Sequence, residues 1–461
     1  MIQEYSNNKN YKTDDSELKG RVPMESRALY YSEIERINRK ELEELQLRKL
    51  RATLQILYEK NPYFGRKLRQ AQVKPSDINK LEDIAKIPFT TKDDLRINYP
   101  IGLLNVGIEK VVRFHVSSGT TGDPTVVAYT ESDVDKWSEL NARCLTMMGV
   151  KRGDIIQIAY GYGLFTGGLG IHYGAERLGA AIVPSSAGNT KRQIKLMKDM
   201  HATVLACTPS YALYLAEAAI QEGLNPKEDL SLRVGVFGAE PWSESVRKRL
   251  INQLCPEPYD IYGLSELCGP GVAAECPLKN GLHVWADHFI PEVIDPKTGE
   301  VLGPGEEGEL VFTTIDKEAM PLLRYRTRDV SCLDIEPCAC GRTHPRISRI
   351  KGRDDDMLKI RGVNVFPSQI EYVLERMEEL GDQYQIILTK SGPLDDLKVK
   401  VEVKSSAVSD KPWDMVELKK KVESEIYSVL NLHVEVDLVE PGSLPRSEGK
   451  AKRVVDLRRS T

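Results

Sequence analysis

No window of this 461-residue chain approaches the ~18 uninterrupted apolar residues of a membrane span. The polar segment Met1 to Asp15 also lacks the apolar core of a secretory signal. A membrane partner is therefore not expected, and a cytoplasmic protein is. Neither sign of charge is in surplus: 64 Lys and Arg stand against 68 Asp and Glu, a net charge of −4. No global field remains to attract nucleic acid or an anionic surface, so neither is expected as a partner. Cysteine is sparse, with eight in all, and a disulfide framework belongs to small secreted domains. Free thiols are the expectation, although six of the eight lie between Cys255 and Cys340. The chain's hydroxyl-rich glycine loop, Ser117 to Thr125, lacks the lysine that a Walker A loop requires.

What is present is apolar content enough for large cores, at 41%, in a chain long enough for two to four domains. Residues 1 to 28 read as a flexible leader. Ile34, Ile37, Leu42, Leu45, Leu50, Leu54 and Leu57 recur at three to four residues, which predicts helix from Ser32 to about Leu68. From Val111 onward the texture changes to short apolar runs: Ile155 to Tyr160, Ala180 to Pro184, Val204 to Thr208, Leu232 to Phe237 and Tyr259 to Tyr262. Runs of this length separated by 20 to 30 residues predict parallel strands joined by crossover helices, an α/β core. Their carboxyl ends, rich in small and polar residues, are where a ligand is expected. Asp295 to Glu300 and Gly303 to Glu309 are turns around apolar pieces and predict hairpins of a small β subdomain. After the charged segment Lys351 to Asp356, helix-like Gln369 to Met377 and strand-like Lys398 to Val403 predict a small α+β domain behind a hinge.

Four segments carry candidate chemistry. Ser117-Ser118-Gly119-Thr120-Thr121-Gly122-Asp123-Pro124-Thr125 has the glycines and hydroxyls with which backbone wraps phosphate, although such clusters are commonly plain turns. Tyr262-Gly263-Leu264-Ser265-Glu266 offers an aromatic face, a hydroxyl and a carboxylate able to hold Mg²⁺, or is a strand-to-turn junction. Tyr325-Arg326-Thr327-Arg328-Asp329 offers an acid to a ribose diol, or is a salt-bridged strand. Leu444 to Arg453 is a basic, glycine-bearing stretch or a solvated charge run.

Their order is more specific than any one of them. S-S-G-T-T-G, Y-G-x-S-E, Y-R-T-x-D, G-R-x-D-D-x-x-K-I-R-G and P-R-S-x-G-K together resemble the adenylate-forming superfamily of acyl-CoA synthetases, from about residue 85 onward. Tyr160 to Gly168, Gly238 to Trp242, Trp285 to Phe289, Met320 to Asp329 and Arg361 to Pro367 resemble the phenylacetate-CoA ligases within it. The resemblance implies a multi-subdomain adenylation domain over 29–354, with parallel and mixed sheets, and a mobile C-terminal domain over 355–461. It implies ATP, Mg²⁺ and coenzyme A as cofactors, an aryl acid as substrate, and a homodimer. Carried across, it places Ser117, Ser118, Gly119, Thr120, Thr121 and Gly122 at the pyrophosphate end of ATP. Glu266 binds Mg²⁺, Ser265 donates to phosphate, and Lys450 bridges the acyl oxygen and the α-phosphate. Tyr262 stacks on adenine, beside Gly263 and the Gly238-Ala239-Glu240-Pro241 turn. Asp329 takes the ribose hydroxyls with help from Arg353. Asp355 is the hinge, and Gly362 lets pantetheine pass. Nearest rivals are an adenylyltransferase of the coenzyme F390 synthetase type and a non-catalytic nucleotide- or acyl-CoA-binding protein.

The acid pocket implied by the family lies between Tyr160 and Phe165, the Gly238-Ala239 turn and the strand ending at Ile261, with the small residues leaving room for a ring. Relatives place a basic residue near the phosphate loop where this chain has Asp123 and Thr125, and Asp123 is expected to face solvent. Cys276, His283, Cys338 and Cys340 resemble the ligands of a zinc-bearing branch of these ligases, a closed Cys₃His set for structural Zn²⁺, with His344 or Cys332 as possible replacements.

Overall fold

The computed structural model describes residues 30–116, 124–164, 166–353, 358–360, 363–391, 394–405, 412–430, 432–446 and 453–458. The leader, the phosphate loop through Asp123, Phe165, Asp355, Gly362 and Lys450 lie outside these residues.

The chain opens with a helical layer as its spacing predicts. Arg39–Lys60 buries Leu42, Leu50, Leu54 and Leu57 along one stripe. It stops where Asn61 turns extended and caps the next helix, Pro62–Gln70, by accepting from the N–H groups of Tyr63 and Phe64. Pro62 at the first helical position reinforces the break, since its ring cannot continue the preceding helix. An antiparallel hairpin follows, β1 (Val111–Val116) and β2 (Val126–Thr130), and the segment 117–125 lies between its strands in the sequence.

The five apolar runs form β3 (Ile155–Ile158), β4 (Ala181–Val183), β5 (Val204–Cys207), β6 (Val234–Gly238) and β7 (Glu257–Leu264), all parallel in the order β4-β3-β5-β6-β7. Every residue of β5 and β6 is buried, as expected of strands covered on both faces. Helices Gly167–Leu178, Thr190–Asp199, Pro209–Gln221 and Glu244–Gln253 make the crossovers. Because β4 and β5 flank β3 on opposite sides, the chain reverses direction across the sheet there, which opens a crevice at the carboxyl ends.

Beyond β7 the sheet turns antiparallel. It continues through β8 (Gly269–Glu275) and β9 (Leu282–Val284) and, by way of β13 (Arg346–Ile347), reaches β12 (Tyr325–Asp334), β11 (Glu307–Thr314) and β10 (Phe289–Ile294). The short β14 (Gly352–Arg353) pairs with β12. The expected β subdomain is thus an extension of the main sheet, and β7 runs past Ile261 to Leu264 because β8 pairs with its last residues.

The C-terminal part has its own core. β15 (Leu358–Ile360) and β16 (Val363–Val365) pair, and β17 (Leu380–Ser391), β18 (Leu394–Val403), β19 (Glu435–Val439) and β20 (Val454–Asp456) form a sheet of order β19-β18-β17-β20. Helices Pro367–Leu374 and Pro412–Leu430 cover it, burying Ile370, Val422 and Ile426 against Ile386, Val399 and Val436. Polar contacts join the two parts: Arg249 pairs with Asp382, and Ser243 donates to Glu375.

Candidate functional site

Glu266 sits in the turn that follows β7, with the Leu267 and Cys268 N–H groups donating to Leu264 O at 3.1 and 3.2 Å. Its carboxylate is buried, and Thr125 Oγ1, at the end of the Ser117 to Thr125 segment, donates to it at 3.3 Å. The hydroxyl of Ser265 meets that of Thr166 at 3.2 Å, just before helix Gly167–Leu178. The structure therefore brings Glu266 and Ser265 to the foot of the phosphate loop and to a helix start, where N–H groups favour anions. Thr125 points inward and is paired; Asp123 lies outside the described residues.

Tyr262, also on β7, donates its hydroxyl to Asp329 Oδ2 at 2.6 Å. Burial, reinforced by the Asp329 carboxylate, pushes that hydroxyl well above the usual tyrosine range, so it stays a donor. Asp329 is placed by β12, whose residues alternate between buried and half-buried, and Asp329 faces Arg353 across the β12–β14 ladder. The preceding Arg328 has φ of 69°, held by Glu309, which accepts from its N–H at 3.1 Å. Tyr325, on the same buried face, has its hydroxyl pushed well above the usual range by burial and by Glu266. It links the Glu266 carboxylate to the strand that carries Asp329.

Tyr160, at the end of β3, and Ile261, within β7, are placed near the crevice. Tyr160's hydroxyl is raised by burial, then by Cys207 and Glu240. At Gly238 a Cβ would meet Ile261 O at 2.2 Å, so the close approach of the neighbouring strand requires glycine there. Ala239 follows with φ of 71°, a left-handed conformation that is costly for a residue with a Cβ. Glu240 accepts from Ser210 N–H at 2.8 Å, which ties the turn to the end of β5.

A second constellation lies on the antiparallel extension. Cys276 directly follows β8, His283 is on β9, and Cys338 and Cys340 flank a turn closed by Gly341 N–H donating to Cys338 O at 2.8 Å. Their ligand atoms all lie within 4.8 Å of one another. Cys276 Sγ is 3.9 Å from Cys338 Sγ, and Cys340 Sγ is 3.4 Å from His283 Nε2. A tetrahedral site with Zn–S of about 2.3 Å spaces its sulfurs by roughly 3.8 Å, so the donor set fits zinc. His283 Nδ1 faces His344 O at 3.3 Å, the outer contact that orients a ligating imidazole. The hydrogen bond from Cys276 and, against burial, the one from His283 hold the Cys340 thiol below the usual cysteine range. His344 is not a replacement ligand: Ala286 N–H donates to its Nδ1 at 3.1 Å, and its Nε2 meets Ile34 O at 2.9 Å. Cys332 stands outside the group.

Sequence reasoning did not find Lys317. Its ammonium reaches the carbonyls of Glu266 and Leu267, and nothing in its local sequence separates it from a surface lysine.

No helix among the described residues is long and apolar enough to cross a membrane. The AMP-binding enzyme family model matches residues 36–315, and the AMP-binding enzyme C-terminal domain matches residues 362–458. The chain is 47% identical over 445 residues to a phenylacetate-coenzyme A ligase of Thermus thermophilus, covering 94% of this chain and 100% of that protein. It is 48% identical over 419 residues to one of Escherichia coli, covering 91% and 95%. Among solved structures, 2-hydroxyisobutyryl-CoA ligase in its postadenylation state matches with a TM-score of 0.88 at 29% identity, covering 96% of this chain and 94% of that one. The same ligase in its thioesterification state matches with 0.70, so the two parts are arranged here as in the former state. This chain belongs to the phenylacetate-coenzyme A ligase family of adenylate-forming, AMP-binding enzymes.

Proposed function

We propose that this enzyme joins an aryl carboxylic acid, phenylacetate foremost, to coenzyme A through an acyl-adenylate, releasing pyrophosphate and then AMP. The observation that carries the reading is the hydrogen bond from Thr125 to Glu266, which sets a carboxylate at the root of a glycine-hydroxyl loop.

In the first half-reaction a carboxylate oxygen attacks the α-phosphorus of ATP and pyrophosphate leaves. Two anions must meet, so positive charge and aligned donors in a water-poor crevice are the main requirement. Ser117 to Gly122 wrap the β- and γ-phosphates, Ser265 adds a hydroxyl, and Lys450 stabilises charge developing between the acyl oxygen and the α-phosphate. Glu266 is the residue that would hold Mg²⁺, which neutralises phosphate charge when bound. Tyr262 packs against adenine near Gly263 and the Gly238 to Pro241 turn. Asp329, oriented by Tyr262 and Arg353, accepts from the ribose hydroxyls. Tyr160, Phe165, Ala239 and Ile261 surround the acid. In the second half-reaction the thiol of coenzyme A attacks the acyl carbon and AMP leaves. Lys450 must withdraw for this, and rotation at Asp355 brings Gly362 towards the site. Cys276, His283, Cys338 and Cys340 would hold a structural Zn²⁺, and a set of four protein ligands would leave no position for substrate.

Pyrophosphate release across a panel of aryl acids, with and without coenzyme A, tests the reading. Arylacetic acids should release pyrophosphate, with AMP and thioester accumulating only when coenzyme A is present. Turnover that requires a hydroxyl acceptor in place of coenzyme A, or nucleotide binding without turnover, would overturn it.

A further inference from the structure

Lys317 lies on the loop after β11 and is largely enclosed, although a lone lysine is among the most exposed of residue types. Its Nζ donates to Leu267 O at 2.6 Å and to Glu266 O at 3.2 Å, the last carbonyls of the turn that carries Ser265 and Glu266. The same ammonium lies 4.9 Å from the centroid of the Tyr129 ring, on β2, the strand that leaves the phosphate loop. The loop that carries Lys317 is itself pinned: Asp133 accepts from the N–H groups of Glu318 and Ala319 at 2.7 and 2.9 Å. One cation thus joins the two backbone segments that bring phosphate-binding groups together.

We infer that Lys317 is a positioning residue for the adenylation half-reaction, locking the Glu266 turn onto the hairpin that bears the phosphate loop. The inference rests on the reading of Glu266 as the residue that holds Mg²⁺. Lys317 touches no substrate; it acts through two carbonyls and a ring. Burial lowers its ammonium below the usual lysine range, and Asp133, Cys268 and Glu266 oppose that shift. A cavity of about 30 Å³ beside it, lined among others by Trp137, Cys268, His288 and Asp316, gives a guanidinium room to take its place.

The test measures the Mg²⁺ concentration for half-maximal pyrophosphate release with ATP and phenylacetate, and separately the thiolysis of presynthesised phenylacetyl-adenylate by coenzyme A. Lys317→Met should raise the Mg²⁺ requirement about tenfold while leaving thiolysis within about twofold. Lys317→Arg should return the requirement to within about threefold of the parent. If the Met variant does not fold, Lys317→Gln replaces it, with the same expectation. An unchanged Mg²⁺ requirement in a folded variant overturns the inference, as does an equal loss of both half-reactions, which marks a merely structural role. Glu266→Gln separates the two levels. If it leaves the Mg²⁺ requirement unchanged, the assignment of Glu266 fails; if it raises the requirement and Lys317→Met does not, only the role of Lys317 fails.

Discussion

The Cys/His cluster and the nucleotide site are built in opposite ways. All four cluster residues come from the antiparallel extension, and their ligand atoms lie within 4.8 Å of one another. They are also clamped from outside: Arg342 pairs with Glu35 at 2.8 Å with both side chains fully buried, and Thr343 N–H donates to Glu35 O at 3.2 Å. The proposed nucleotide site instead draws on residues at β2, β7, β12 and β14, with its proposed cation, Lys450, in the C-terminal part of the sequence. A structural centre gains from being finished before any ligand arrives. A catalytic centre serving two half-reactions must leave part of itself to be delivered and withdrawn.

The widest separation should come from breaking each site once. Lys450→Ala is expected to lower pyrophosphate release about 10³-fold, the scale for removing a charge aimed at a developing anion. Thiolysis of presynthesised acyl-adenylate should fall by less than tenfold. Equal loss of both would mean that Lys450 is not confined to adenylation. Cys340→Ser should act on the other site: zinc by elemental analysis should drop from about one equivalent to a few tenths, and the melting temperature by roughly 5–10 °C. Its KM for ATP should hardly change, and a parent protein without zinc would remove the metal reading.

This contrast also explains what could be read without coordinates. The strands β3 to β7 were legible because buried parallel strands must be short apolar runs, and β5 and β6 are buried throughout. Helix Arg39–Lys60 showed in its leucine spacing, but its end at Asn61 turns on a cap hydrogen bond that hydrophobic spacing does not encode. Tyr262 and Asp329 are 67 positions apart, and Thr125 and Glu266 are 141 apart. Only the order of whole motifs linked them. Lys317 was invisible because its role depends on two carbonyls and a ring with no local pattern.

Within the nucleotide site, Asp329→Asn should raise the KM for ATP about 10–50-fold, since hydrogen bonds to a charged acceptor contribute roughly 1.5–3 kcal/mol. Tyr262→Phe keeps the ring and deletes the 2.6 Å donor to Asp329, so a smaller rise, about 3–10-fold, is expected. A larger effect for Tyr262→Phe than for Asp329→Asn would show that the tyrosine hydroxyl, and not the carboxylate, meets the nucleotide.

The smallest effect concerns how firmly the second part is held against the first. Glu217, on helix Pro209–Gln221, is pushed up to about 7 by burial and by Asp382 across the junction, with Arg249 and Arg446 opposing. Glu371, on the C-terminal side, is pushed up to about 7 by burial and by Glu375, with Arg453 opposing and Glu240 assisting. Asp382 faces Glu217 across the junction, so the docked arrangement holds the Glu217 proton more firmly than the separated one. That advantage is full below the ordinary carboxylate range and is lost as pH rises through about 7. The population docked as here should therefore fall between pH 6 and pH 8, by roughly threefold given the partial exposure of Glu217. Energy transfer between labels on the two parts would measure it, and Glu217→Gln should flatten the profile. A docked population that rises with pH would assign the junction to carboxylates ionised beside its arginines instead of to a shared proton.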